Sequence, residues 1–483
     1  MAYKLPTPSK FYMSKDGCRK MGGVQVYDLI VSGGKIVLEE EVVCTDIGVR
    51  DGKITAMGEL SPNFAAEVVD AQGKYIFPGL VDCHVHLNDP GFTWREDFVT
   101  GTSAAAVGGV TTVIDMPLQN DPPLFNLNAF SEKLAALSSR AAVDYAFWGA
   151  ALEYNINNLK ELHKAGCVAY KIFLGPVSDD YQTLGEDTVA KVTEEVLKFN
   201  GLIGFHAEDY AVIKGEEAKL LNKNNLSWRD YLAARPVSAE LTAVKYVIEL
   251  VRKTRVRAHI CHVSHPAAAD LIGSAQKEGL PITAETCMHY LIFSEADLLT
   301  KGALFKCAPP LRCVESQKKL WDYVSNGVLS AICSDHSPCR ADEKDISRHG
   351  ILGAWGGVSG LQNTMQLFFE YAVNRRKCPL PLLTRALSAN PAKIFGLYGQ
   401  KGTVAIGFDA DLVIFDPIMP WRITKESLCY KNKISAFIGL SGNGLPVRTI
   451  LRGKTIFQHG EGVVQPYNGR LVMPNGISKG GCI

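Results

Sequence analysis

The sequence predicts an α/β protein: a (β/α)8 TIM barrel with a small β-sandwich assembled from both ends of the chain. Three observations predict it. Strand-like and helix-like stretches alternate eight times through the middle of the 483 residues. The strands are rich in Val, Ile and Leu, as in a parallel sheet covered by helices on its faces. Short alternating strands with Gly-Gly and Asp-Gly turns occupy both flanks.

The elements follow in order. Residues 25–75 hold VYDLIVSGGKIV, TDIGVRDGKITAMG and AAEVVDAQGKYI, the N-terminal share of the sandwich. Residues 76–400 form the barrel. Its strands are GLVDCHVHL, GVTTVIDMPL, DYAFWGAAL, CVAYKIFL, LIGFHAED, VRAHICHVS, PITAETCMHYL and LSAICSDHS. Helical stretches intervene, among them EDFVTGTSAAAVGG, AELTAVKYVIELVRK and VESQKKLWDYVSNG, and the glycine pair at 108–109 ends the first of these. Residues 401–470 return to turn-linked strands in KGTVAIGFDADLVIFD and VRTILRGKTIFQHG. Two half-sheets, one at each end, have incomplete apolar faces unless they pair, so one sandwich is expected. Residues 1 to about 22 and those from about 470 onward are expected to be mobile.

Composition narrows the function. Length alone suggests about three domains, but a β/α barrel absorbs more than ~250 residues as one unit. A net charge of +1 with no Lys/Arg stripe leaves no field for gripping nucleic acid. The N-terminus has no apolar signal-peptide core, and no run of about 18 apolar residues is present to span a membrane. The 13 cysteines form no C-x-x-C pair, and Cys83, Cys261, Cys287 and Cys333 lie within apolar strands as small hydrophobes. A reducing cytosol is the expected compartment.

Six residues carry the chemistry: His84 and His86 in VDCHVHLNDPG, Lys171 in CVAYKIFLG, His206 in GLIGFHAED, His262 in AHICHVSHP and Asp335 in AICSDHSPC. They fall on strands one, four, five, six and eight, each at or near the C-terminal end, where β/α barrels carry their active sites. In H-x-H on a strand, the two imidazoles project from one face and can share a metal. Imidazole and carboxylate ligands suit a borderline divalent ion: Zn²⁺, Co²⁺ or Mn²⁺. A lone histidine at a strand end is more often structural, and a lone lysine more often snorkels; six in order reverse that weighting. His163, His265, His349 and His459 are read as structural or surface residues. His259, three before His262, is expected to face the helices, and His289 to support the site from outside the ligand set.

The order HVH, Lys, His, His, Asp resembles the cyclic amidohydrolases: hydantoinases, dihydropyrimidinases, dihydroorotases and allantoinases. The likeness runs over nearly the whole chain, to NPAKIFGL and KGTVAIGFDADLVIFD. Within the group, GTSAAAVGGVTTVIDMPL, SDHSPC, ETCMHYL, KCAPPLR and AWGGVSGLQ are similar to the allantoinases. Dihydropyrimidinases usually carry a tyrosine five residues after the lysine, where this chain has Pro176.

The resemblance implies a binuclear centre. His84, His86 and Asp335 would hold the more buried ion, His206 and His262 the second, and Lys171, carboxylated by CO2 to N6-carboxylysine, would bridge them. A hydroxide shared by the ions would attack the ring amide, with Asp335 shuttling its proton to the leaving nitrogen. Allantoin would open to allantoate, a step of purine catabolism, in a homo-oligomer (a tetramer by resemblance). Main chain at Cys307, Ala308, Trp355 and Gly356 would bind the hydantoin ring. With no tyrosine at 176, the oxyanion needs another donor. The long stretch Tyr210–Val237 is expected to form extra helix that caps the site or contacts a neighbouring subunit. Two rivals stand beside this reading: a dihydropyrimidinase or hydantoinase, and a non-enzymatic scaffold of the kind whose members lose metal ligands.

Overall fold

The computed structural model describes residues 26–177, 181–465 and 467–477. The expected mobility of residues 1 to about 22 therefore concerns a stretch outside the described residues.

All eight predicted barrel strands form, in chain order: Leu80–Val85, Val110–Asp115, Asp144–Ala150, Cys167–Phe173, Leu202–His206, Arg257–Ile260, Ile282–Cys287 and Ala331–Cys333. They lie side by side in that same order, each pairing parallel with the next. The last strand returns to the first through a parallel bridge between Val85 and His336. There the His86 N–H donates to the His336 carbonyl at 2.9 Å. The helices bury one stripe each. In Val237–Thr254, Ala239, Ala243, Val247 and Val251 recur at a spacing of four and are all buried. The first helix, Phe98–Val107, starts where the Asp97 carboxylate accepts from the Thr100 N–H and stops at Gly108, as the glycine pair predicts.

The barrel interior is filled rather than hollow. On strand five, Gly204 faces the Trp148 indole so closely that a Cβ there would lie 2.2 Å from the ring. That layer forms the floor beneath the mouth.

Both ends of the chain build the sandwich, as the unpaired half-sheets predict. One sheet joins C-terminal strands to N-terminal ones: Leu412–Arg422 pairs on one side with Ser441–Leu451 and on the other with Tyr75–Pro78, antiparallel in both cases. The second, of four strands, comes entirely from residues 27–70. Leu29, Val49 and Ile76 pack with Leu412, Ile414 and Ile450 in one apolar cluster. Because Tyr75–Pro78 belongs to this sheet, the N-terminal share runs to 78, three residues past the expected boundary.

Residues 470–472 depart from expectation, while residues 478–483 lie outside the described residues. The Tyr145 N–H donates to the Arg470 carbonyl at 3.0 Å, and the Val472 N–H to the Tyr145 carbonyl at 2.8 Å. Residues 470–472 are thus pinned along strand three, and Val472 is buried.

A buried ammonium joins barrel to sandwich, beside the Arg452–Asp144 ion pair. Lys401 Nζ lies 2.6 Å from Asp144, 2.6 Å from Asp411 and 2.9 Å from Asp409. Those carboxylates converge like metal ligands, but the lysine fills their centre and they hold its pKa above the ordinary lysine value despite burial. Lys401→Met strips Asp411 of its cation and takes one from Asp144 and Asp409, which keep Arg452 and Lys53. It is expected to lower unfolding stability by about 3–5 kcal/mol, read as an earlier denaturant midpoint; an unchanged midpoint would contradict the joining role.

Candidate metal centre

The six expected ligand residues meet at the C-terminal mouth. His84 and His86 alternate along strand one, so both rings enter the same space, and their centroids are 5.4 Å apart. After His86 the chain turns sharply at Asp89-Pro90-Gly91. Gly91 sits at φ 109°, and a Cβ on it would lie 2.5 Å from the Asp121 nitrogen, so this turn requires glycine. His84 Nε2 lies 3.3 Å from Asp335 Oδ1, and His86 Nε2 lies 3.5 Å from the same oxygen. His206 Nδ1 and His262 Nε2 approach to 3.1 Å, and the His84 and His262 rings to 5.3 Å. Two nitrogens at about 2.0–2.1 Å from one tetrahedral ion stand roughly 3.3–3.4 Å apart. Both groups therefore have the spacing of ligands converging on an ion.

Backbone strain aims two of these groups. His262 and Asp335 have φ of 39° and 42°, the left-handed region that ordinary residues avoid. Both lie just beyond their strands, and the twist turns their side chains towards the mouth. This overturns the expectation for His259, which assumed regular alternation as far as His262. His259 instead points into the barrel: Nε2 is 3.2 Å from Glu285 Oε2 and Nδ1 is 2.8 Å from Thr283 Oγ1.

Lys171 is 1% exposed, and its Nζ has no hydrogen-bond partner among the described residues. It stands over the Phe173 ring at 5.2 Å. A buried ammonium without an acceptor is costly. Carboxylation would convert it to an anion suited to cations held by the surrounding histidines, and imidazole with carboxylate is a donor set that fits divalent metal.

Protonation favours ligation at three of the four histidines, since imidazole binds a metal only when neutral. Burial pushes His86, His206 and His262 below the ordinary histidine value, with the Lys171 charge reinforcing it at His206 and His262. At His84 burial acts the same way, but the Asp335 and Glu285 carboxylates override it and raise the value.

The sequence reading missed the groups that orient these ligands. Glu285 on strand seven takes His84 Nδ1 at 2.5 Å, which leaves Nε2 facing Asp335, the carboxylate–histidine arrangement that fixes a ligand's tautomer. Glu208 takes His206 Nε2 at 2.9 Å, leaving Nδ1 towards His262. Arg235 in turn holds Glu208 and the Pro176 carbonyl, and burial notwithstanding, its charge sets the Glu208 carboxyl at about 2. The signal for Glu208 was present in HAED; the histidine that Glu285 orients, His84, lies 201 positions away in the chain.

The rim is built from loops. Tyr210–Val237 holds two helices, Tyr210–Ala218 and Trp228–Ala234. From the second, the Tyr231 hydroxyl donates to the Cys307 carbonyl at 2.7 Å. The Trp355 N–H donates to the Glu343 carbonyl at 2.8 Å, and its indole lies 3.9 Å from the Arg95 guanidinium. Two of the four expected substrate contacts are thus engaged within the protein, while Ala308 is half-buried and Gly356 exposed at the mouth. His289 is buried, as a supporting role requires, and burial holds its ring at about 4, hence neutral at pH 7.

A model described as the amidohydrolase family matches residues 75–456. An allantoinase of Escherichia coli O139:H28 is 35% identical over 454 residues, covering 92% of this chain and 99% of that one. An allantoinase of Enterococcus faecalis is 36% identical over 455 residues, with the same coverages of 92% and 99%. Among solved structures, the L-hydantoinase (dihydropyrimidinase) from Arthrobacter aurescens superposes with a TM-score of 0.89 at 30% identity, covering 92% of this chain and 100% of that one. The dihydropyrimidinase from Brevibacillus agri NCHU1002 gives 0.87 at 28%, covering 93% and 99%.

Proposed function

Because this chain belongs to the amidohydrolase family, we propose that it is a metal-dependent cyclic amidase that opens allantoin to allantoate. The observation that carries the chemistry is the convergence of four histidines, one carboxylate and one buried lysine, unbonded among the described residues, at a single barrel mouth. The substrate rests on the allantoinase relatives, which match 92% of the chain. His84, His86 and Asp335 would hold one divalent ion, His206 and His262 the other, and Lys171 as a carbamate would span them; Zn²⁺ suits this donor set, with Co²⁺ or Mn²⁺ as alternatives. Bound ions would polarise the scissile carbonyl and acidify water.

The chain's own groups supply the rest. Asp335 accepts the proton of the attacking water and passes it to the leaving ring nitrogen. Glu285 and Glu208 keep His84 and His206 in the tautomers that face the centre. Main chain at Ala308 and Gly356 would pair with the planar ring. A reducing cytosol fits the free cysteines, and among the described residues no helix is long and apolar enough to cross a membrane. The homotetramer rests on the resemblance alone.

The structural neighbours favour one competitor, a hydantoinase or dihydropyrimidinase. Pro176 stands where those enzymes usually carry a tyrosine, and Arg235 holds its carbonyl. Allantoin adds a ureido arm that dihydrouracil lacks, and polar groups built to pair with that arm stay unpaired without it, at about 1–3 kcal/mol each. The kcat/KM for allantoin is therefore expected to exceed that for dihydrouracil and unsubstituted hydantoin by at least about a hundredfold, two such groups at roughly 1.4 kcal/mol per factor of ten. Equal turnover of dihydrouracil by the metal-loaded enzyme would overturn the allantoin assignment and leave the amidase reading standing.

A further inference from the structure

His289 follows strand seven in the short helix Met288–Ile292 and is 1% exposed. Neither of its ring nitrogens has a hydrogen-bond partner among the described residues. A buried neutral imidazole has one donor and one acceptor to satisfy, and leaving both unmade is costly. The ring is not loose: it packs on Tyr290 at 4.2 Å between centroids, and the Tyr290 hydroxyl is tied to the Pro309 carbonyl at 2.6 Å. A nitrogen of His289, an oxygen of Asp335 and the Cys287 sulfur lie within 4.8 Å of one another. Two polar atoms no farther apart than that, and not bonded to each other, can both reach one small molecule lodged beside them, each at an ordinary hydrogen-bond length of about 2.8 Å.

We propose that His289 contacts the substrate, donating its ring N–H to the ureide oxygen next to the leaving nitrogen while Asp335 protonates that nitrogen. When the ring C–N bond breaks, its electron pair passes to the nitrogen and spreads onto the adjoining ureide oxygen. The Asp335 proton ends on the nitrogen. His289 keeps its own proton and stabilises the oxygen while the charge is there. A fixed donor aimed at developing charge in a water-poor site acts on the transition state more than on bound substrate. His289 thus serves the leaving side of the reaction. The inference rests on the ring-opening reading above.

The test uses the zinc-loaded full-length enzyme with allantoin. His289→Leu keeps apolar bulk and removes the donor; His289→Gln places an amide N–H near the reach of the distal ring nitrogen. The leucine variant is expected to lose about tenfold to a hundredfold in kcat with KM little changed and both metals retained. Glutamine should restore part of the loss. Undiminished kcat in the leucine variant, equal loss in both variants, or loss of metal from a folded variant would each overturn the proposal. Should the leucine variant fail to fold, His289→Asn, whose amide reaches only the proximal nitrogen position, takes its place, and glutamine and asparagine performing alike is then the overturning result. A wild-type enzyme that opens no cyclic ureide defeats the ring-opening reading instead, so the two failures are told apart.

Discussion

Lys171→Ala is expected to lose bound metal and activity together, with turnover down by at least roughly 10³-fold. The expectation comes from what the side chain lacks. Its Nζ is buried without a hydrogen-bond partner among the described residues, beside His84, His206 and His262, whose charged forms it disfavours. As an ammonium it repels any cation those rings would hold. As a carbamate it contributes an anion reaching both ligand groups, and a centre without it keeps only the one carboxylate of Asp335 against two dications. Loss of Lewis-acid assistance amounts to several kcal/mol of transition-state stabilisation, hence the thousandfold floor at 1.36 kcal/mol per decade. Because alanine leaves a cavity the length of the missing side chain, short carboxylic acids such as acetate or propionate should partly restore metal and rate. Metal analysis of the purified variant decides the matter: two ions still bound to the alanine protein would sink the bridging role.

What could be read from the sequence, and what could not, divides along physical lines. The eight barrel strands were legible because each is a short apolar run followed by a helix, a pattern set by local packing against the sheet. His84, His86, Lys171, His206, His262 and Asp335 were legible because they interrupt such runs at one end with groups that a core does not want. His259 was misread since two-residue alternation holds only while the strand does. The strand ends at Ile260, and His262 turns inward by a left-handed backbone that no sequence pattern near it announced. Glu285 escaped for a different reason: its partner His84 lies on the first strand and it lies on the seventh, so only barrel closure brings them to 2.5 Å. KGTVAIGFDADLVIFD stood out as a motif while its purpose stayed hidden, because Lys401, Asp409 and Asp411 need Asp144 from the third barrel strand to make sense. The pairing of residues 470–472 with strand three is likewise invisible in a segment with no periodicity of its own.

Asp335→Asn separates ligand from proton carrier, and it should cut turnover by roughly 10²–10⁴ while metal content falls far less. Asp335 does two things in the proposed reaction: Oδ1 converges with His84 Nε2 and His86 Nε2 at 3.3 and 3.5 Å, and the carboxylate takes up and releases a proton. Asparagine keeps the shape and one ligand oxygen but has no site that accepts a proton at neutral pH. The backbone makes the comparison clean. Asp335 sits at φ 42°, a left-handed conformation that asparagine tolerates about as well as aspartate and that most other residues resist, so the substitution adds little strain. An alanine at the same position would confound three losses: ligand, base and backbone fit. Rate and metal content are to be measured on the same preparation, with zinc resupplied. If rate and metal fall in parallel and zinc restores both, Asp335 is a ligand only and the proton travels by another route. Turnover near that of the unmodified enzyme would remove Asp335 from the proton path altogether.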